Sequence, residues 1–359
     1  MNKLEINKND LKYNVNKILG KAKETNAQVI AVVKINAYGL GIVEFSKFLE
    51  ENGVDFFAVA SPNEAFILRE NGIKSKILLM TPVIEEDILI KLIEKDIIIT
   101  IGSGYEIDVI NKLNIDKINA HLKIDTGFSR YGFLYNNLEE IKDVFNNEKI
   151  DIQGMFTHFS KTLDEKWTKV QFERFTSVID FLKENNIKPK LVHCCNSTAF
   201  FKYSQMHLNA VRIGSAWQGR LPNNIGDLKQ IGTLKSRILE IRTVEKGSNV
   251  SYTNKYKTKR KSTLATIPLG YMDGINKTRE RDTFSKIDNL KASLRELKNL
   301  FKTMRLKVCV NGKECDIVGR LGTLHAIIDV TDIECEVRDE VIIDANPVYV
   351  DEKIKREYI

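Results

Sequence analysis

The amino-acid sequence predicts an α/β protein with an N-terminal (β/α)8 barrel of the TIM type and a mostly β C-terminal domain. Strand-like apolar runs near 28–34, 54–59, 76–80, 96–101, 118–124, 152–157, 189–193 and 209–213 alternate with amphipathic stretches such as 42–51, 63–71, 85–94, 103–111, 137–147 and 166–185. Eight such runs, with connections long enough for parallel crossovers, are what a closed barrel requires. The rhythm changes after about residue 222, where short strand-like runs take over. An open dinucleotide-binding sheet is the competitor, but its G-x-G-x-x-G turn is absent after the first run.

Leu4 and Ile6 alternate around Glu5 in the first nine residues, and a helix is expected from about Asp10 to Ala22, with Asn9 or Asp10 as its cap. The barrel then spans 10–224. Residues 225–359, joined by 1–9, form the β-rich domain, with strands over 231–241, 263–267, 304–310, 315–319, 326–330 and 340–344. A helical insertion is expected near 275–303. Phe284, Ile287, Leu290, Leu294, Leu297 and Leu300 recur within it at helical spacing, a stripe suited to packing on the β domain or a neighbouring subunit.

A length of 359 residues calls for one large barrel or two domains. The 55 Lys and Arg exceed the 48 Asp and Glu only modestly, without an Arg-rich block, so no nucleic-acid partner is expected. The chain opens without a basic and apolar leader and has no long uninterrupted apolar run. A soluble, cytoplasmic protein without membrane contact is expected. The five cysteines lack the spacing of a disulfide scaffold, and the adjacent Cys194 and Cys195 read as buried thiols.

Active sites of such barrels lie at the C-terminal ends of the strands. Lys34 follows the first run; Lys123, Asp125 and Arg130 follow the fifth; His158 follows the sixth; Asn196 and Ser197 follow the seventh; Arg212 lies at the eighth. An amine held at the end of an apolar strand has a lowered pKa and suits a Schiff base with a carbonyl cofactor. Tyr38, Asn196, Ser197, Gly214 and Ser215 offer hydroxyls and backbone N–H groups suited to a phosphate dianion. His121, His158 and His193 lack metal-site spacing, and a metal-dependent hydrolase would need more carboxylates at the same strand ends.

These stretches resemble the alanine racemases, pyridoxal 5'-phosphate (PLP) enzymes of a (β/α)8 barrel and a β-rich domain. The family's K-x-x-A-Y-G-x-G is matched by Lys34-Ile35-Asn36-Ala37-Tyr38-Gly39-Leu40-Gly41, with Leu40 in place of the usual histidine. Its D-T-G-M-x-R-x-G is matched from Asp125 to Gly132, with Phe128 in place of Met, and T-H-F by Thr157-His158-Phe159. H-x-x-N-S is matched from His193 to Ser197, and I-P-x-G-Y-x-D-G from Ile267 to Gly274.

The resemblance implies roles. Lys34 carries PLP, and Tyr38, Asn196, Ser197, Gly214 and Ser215 lie at its phosphate. His158 lies beside its ring, and Arg212 meets the pyridine nitrogen. Racemisation needs a base on each face of Cα, which Lys34 and the Tyr252 phenolate supply. Arg130 stabilises that phenolate and meets substrate, and Lys123 is a candidate for carbamylation. Tyr252, and Tyr271 at the entrance, are expected to reach the site from the partner in a homodimer, and the Thr323 backbone N–H to meet the substrate carboxylate.

The sequence also departs from the family in the C-terminal domain, in two segments. The usual G-R-V-C-M-D-Q is replaced by Gly319-Arg320-Leu321-Gly322-Thr323-Leu324-His325, which removes an acidic group from the substrate wall. The late phosphate-contacting tyrosine is not recognisable, Tyr349 being a weak substitute. A PLP-dependent racemase is therefore expected, with alanine as leading substrate and serine, lysine or ornithine as alternatives. A decarboxylase on the same scaffold would want an acid in place of Arg212, and a non-catalytic PLP-binding protein would not need a domain carrying Tyr252.

Overall fold

The computed structural model describes residues 2–254, 256–277, 290, 293–294 and 306–359. The chain divides into two units, Lys8–Ile231 and the combination of Met1–Asn7 with Gly232–Ile359.

In the first unit the described residues form eight parallel strands: β1 (Gln28–Val32), β2 (Phe56–Val59), β3 (Lys76–Leu79), β4 (Ile99–Ile101), β5 (Ile118–Asp125), β6 (Ile150–Phe156), β7 (Leu191–His193) and β8 (Ala210–Ile213). Their order is β3-β2-β1-β8-β7-β6-β5-β4. The two ends meet where Leu79 N–H donates to Ile98 O and Ile98 N–H to Ile77 O, both at 2.9 Å, so the sheet closes on itself. Helices between the strands cover the outside, which explains why β1 to β3 are apolar on both faces. Alternate residues point inward, and Ile30, Val32, Phe56, Ala58, Leu78, Ile98 and Ala210 fill the interior. The β5–β6 register shifts at Ala120/His121, a bulge that re-aims the strand leading to Lys123 and Asp125.

The opening helix runs Lys8–Glu24, so Asn9 and Asp10 lie inside its first turn and do not cap it. An acidic residue is favoured there by the helix dipole, and Asp10 also pairs with Lys229 at 2.6 Å. The barrel unit extends to Ile231, past the expected boundary at 224. Leu228 and Ile231 are buried, and Asn14 holds both the N–H and the C=O of Lys229.

In the second unit, Lys3–Ile6 lies between Thr233–Arg237 and Lys355–Tyr358 in a sheet that continues through Glu340–Ile343, Lys307–Val310 and Lys313–Asp316. A smaller antiparallel sheet holds Glu240–Val244, Ser262–Ile267 and Ala326–Asp329. The strand expected over 231–241 is thus two strands in two sheets. The chain changes partners between Ile238, whose N–H meets Asp339 O, and Leu239, whose N–H meets Thr266 O. Leu4, Leu234, Ile267, Ile328 and Val341 belong to the apolar core of this unit. The helical insertion expected near 275–303 lies largely outside the described residues; Leu290 and Leu294 are described and exposed.

Candidate active site

Lys34 leaves the barrel where β1 ends. The four residues after it, Ile35 to Tyr38, all have φ between 50° and 55°, a left-handed turn that costs roughly 1–2 kcal/mol per non-glycine residue. Two side chains from elsewhere in the barrel, Glu64 and Gln218, and one of the turn's own, Asn36, hold it. Glu64 Oε1 accepts the Ile35 N–H at 2.6 Å, Asn36 Oδ1 accepts the Ile42 N–H at 2.7 Å, and Gln218 Nε2 donates to Tyr38 O. Lys34 is half-buried, and its pKa is lowered by that burial and by Arg130, against the opposing charge of Glu64.

A cavity of about 230 Å³ opens beside Lys34 at the strand ends. Lys34, Tyr38, His158, Asn196, Ser197, Arg212, Gly214 and Ser215 all line it, together with Val32, Met80 and Thr198. The cavity thus gathers every residue expected at the cofactor.

At one end of the cavity, hydroxyl and backbone N–H groups gather. Ser197 Oγ accepts N–H groups from Gly214 at 2.9 Å and Ala216 at 3.3 Å, which leaves its own proton to donate. A Cβ at position 214 would fall 2.2 Å from the Tyr38 hydroxyl, so only glycine lets that phenol approach the backbone. Burial pushes the Tyr38 hydroxyl up to about 12, keeping it a neutral donor.

Arg212 lies at the other end, buried in the barrel. Its Nη1 donates to His193 Nδ1 at 2.7 Å and His193 O at 3.0 Å; its Nη2 donates to Thr157 O at 2.7 Å, with Cys194 O at 3.2 Å and His158 Nδ1 at 3.3 Å. The four Nη protons are therefore committed, which leaves Nε–H for the cavity. Burial lowers the guanidinium to about 10, so it stays charged at neutral pH.

The same bonds fix the neighbouring rings. A guanidinium only donates, so His193 Nδ1 is an acceptor and its proton sits on Nε2, directed at His121 Nδ1 3.0 Å away. Burial, then the Arg212 charge, lowers His121 to about 3 and His158 and His193 well below the ordinary value. All three are neutral.

Arg130 stacks over Phe128 and Tyr131, 4.5 and 4.7 Å from the ring centroids. Its loop is shaped by Asp125 Oδ1, which accepts N–H groups from Gly127 and Phe128, and by Gln171 and Arg174, which reach Thr126. Lys123 is buried below, its Nζ 2.6 Å from Ile124 O; burial lowers its pKa to about 7. Cys194 and Cys195 are buried thiols whose Sγ atoms both contact Met206 O.

Tyr252, Tyr271 and Thr323 belong to the other unit, where they line a separate cavity of about 700 Å³ with Arg320 and Gly322. Tyr252 is 68% and Tyr271 51% exposed. Tyr271 N–H donates to Gly322 O and Met272 N–H to Thr323 O, each at 2.9 Å. That zipper requires Gly270, because a Cβ there would meet the Gly322 and Thr323 carbonyl oxygens at 2.5 Å.

Sequence reasoning missed Glu64, Gln218 and the Arg212–His193–His121 chain. The Ser61-x-x-Glu64 capping box is a readable signal, but it points to a helix start and carries no hint of the Lys34 turn.

Residues 6–222 match the family model described as the alanine racemase N-terminal domain, and residues 231–355 the alanine racemase C-terminal domain. The alanine racemase of Methanococcus maripaludis is 34% identical over 345 residues, covering 92% of this chain and 85% of that protein. That of Clostridium tetani is 35% identical over 358 residues, covering 94% and 84%. The solved alanine racemase of Clostridium difficile superposes with a TM-score of 0.86 at 30% identity, covering all of this chain and 95% of that one.

Proposed function

The chain belongs to the alanine racemase family, and from that premise we propose that it interconverts L- and D-alanine with PLP, using Lys34 of one subunit and Tyr252 of the other. The observation that carries this reading is that one barrel cavity holds an amine, a group of hydroxyl and backbone N–H donors and a buried arginine together.

Bound PLP supplies a carbonyl that takes the amino group and a ring that acidifies the Cα proton. Lys34 is the attachment amine. Burial keeps a larger share of it neutral and nucleophilic than a surface lysine would have. Tyr38, the Ser197 hydroxyl and the Ser215 backbone N–H would hold the phosphate, with Gly214 giving the close approach, Asn196 beside them and His158 a neutral group in the same cavity.

Arg212, its Nη groups taken up by the barrel, would hold the ring nitrogen through Nε–H; keeping its own proton, it would leave that nitrogen largely unprotonated, which would restrain transamination and disfavour decarboxylase chemistry. Lys34 serves one face of Cα and Tyr252 the other. Arg130 supplies the positive charge that lets the phenol act as a base. Lys123, whose amine is near neutrality at physiological pH, is suited to carry a carbamate that orients Arg130.

Tyr252 and Tyr271 stand exposed on a concave face with Thr323, which supports a homodimer in which that face completes the partner's cavity. Thr323 then meets the substrate, and Tyr271 lines the entrance. The exposed Leu324, in place of an acid, keeps a larger amino acid as the second reading. Borohydride reduction of the PLP-loaded protein tests the attachment: a cofactor adduct on the Lys34 peptide is expected, and an adduct on any other lysine overturns the assignment.

A further inference from the structure

Glu64 sits at the N-terminus of the helix Pro62–Glu70, where a glutamate three residues after Ser61 ordinarily closes a capping box. Its two oxygens divide between two tasks. Oε2 does the capping, accepting N–H groups from Ala60 at 2.9 Å and Ser61 at 3.1 Å. Oε1 reaches out of the helix and accepts the Ile35 N–H at 2.6 Å, the bond adjacent to Lys34.

A second capping box in the same barrel shows what the cap alone needs. At Ser103 and Glu106 the Gly102 N–H, the Ser103 N–H and the Ser103 hydroxyl all go to Glu106 Oε2, and no bond runs to the Lys34 turn.

We propose that Glu64 is a positioning residue for the Lys34 amine: its carboxylate anchors the left-handed turn and supplies the negative charge that opposes Arg130. This rests on reading Lys34 as the attachment amine. The turn needs an anchor because Ile35, a β-branched residue at φ 55°, stands in a conformation it does not choose by itself. The charge matters because the Arg130 guanidinium acts on Lys34 from the other side, and Glu64 is the one carboxylate set against it among the described residues. Glu64 thereby limits how far the amine is pushed toward its neutral form. Held too low, Lys34 loses the proton it must return to Cα; held too high, it cannot take one.

The test uses the full-length protein in four forms: wild type, Glu64→Gln, Glu64→Ala and Glu106→Gln. Amide hydrogen exchange over residues 34–41 is measured on the protein as purified. The pH dependence of Lys34 labelling by an amine-selective reagent, read by mass spectrometry, is measured after removal of PLP. Glu64→Gln keeps an oxygen for Ile35 but removes the charge, so the Lys34 labelling midpoint moves to lower pH, and labelling below it speeds roughly two- to fivefold. Glu64→Ala shows the same shift and faster exchange at Ile35, and Glu106→Gln shows neither.

An unchanged labelling midpoint in both Glu64 variants, each folded by circular dichroism, overturns the proposal and leaves Glu64 a helix cap. Because labelling needs no cofactor, this result is separate from the borohydride test of Lys34 itself.

Discussion

Arg212 donates to His193 Nδ1 at 2.7 Å, and that one bond orders the centre of the barrel. It fixes the proton of His193 on Nε2 and so presents a defined donor to His121 Nδ1. Replacing His193 with Phe leaves a buried guanidinium proton without its ring acceptor. The expected loss is about 1–3 kcal/mol of unfolding free energy, read by urea denaturation of the PLP-free protein, with weaker PLP binding alongside it. Unchanged stability would show that the ring is not a needed partner.

Gly214→Ala places a methyl group where the Tyr38 hydroxyl now lies. PLP affinity is expected to fall about tenfold or more, equivalent to about 1.4 kcal/mol, in a fluorescence titration of the PLP-free protein. An unaltered affinity would remove Tyr38 from the phosphate cradle.

Much of this arrangement is legible in the sequence, and the parts that are not share a physical cause. The eight strands show because apolar runs buried on both faces contrast with amphipathic helices. Lys34, His158 and Arg212 show because barrel strands end at one mouth. The left-handed turn does not show, since Ile35 and Ala37 have no local preference for positive φ; Glu64 and Gln218, distant in sequence, help to hold them there. The split of the 231–241 strand is likewise set by a change of hydrogen-bond partner at Ile238 and Leu239. Nothing in the local pattern announces it.

Lys123 makes folding pH-dependent. Its pKa falls from 10.5 in the unfolded chain to about 7 in the fold, so between those values the unfolded state binds more protons. The Lys123 contribution to stability therefore rises with pH across that window. Lys123→Met, compared with wild type in bicarbonate-free buffer, is expected to gain about 2 kcal/mol more at pH 7 than at pH 9. Equal differences at both pH values would show that Lys123 titrates normally. With bicarbonate present, wild type but not Lys123→Met is expected to gain the mass of a carboxyl group at this site.

Completion of the site by a second chain predicts complementation. Lys34→Ala and Tyr252→Phe are each inactive as pure proteins, yet a refolded equal mixture places intact Lys34 opposite intact Tyr252 at one site of each mixed dimer. About a quarter of wild-type activity is expected for random pairing. No recovery, from mixtures shown to exchange subunits, would place both bases in one chain.

Exchange of the alanine Cα proton by two groups on opposite faces is read by incubating the PLP-loaded protein with L-alanine and, separately, D-alanine in deuterated water, followed by chiral chromatography and mass analysis. Inversion of both enantiomers with one deuterium at Cα is expected, lost in Lys34→Ala and in Tyr252→Phe. Alanine that keeps both its configuration and its Cα proton would contradict it.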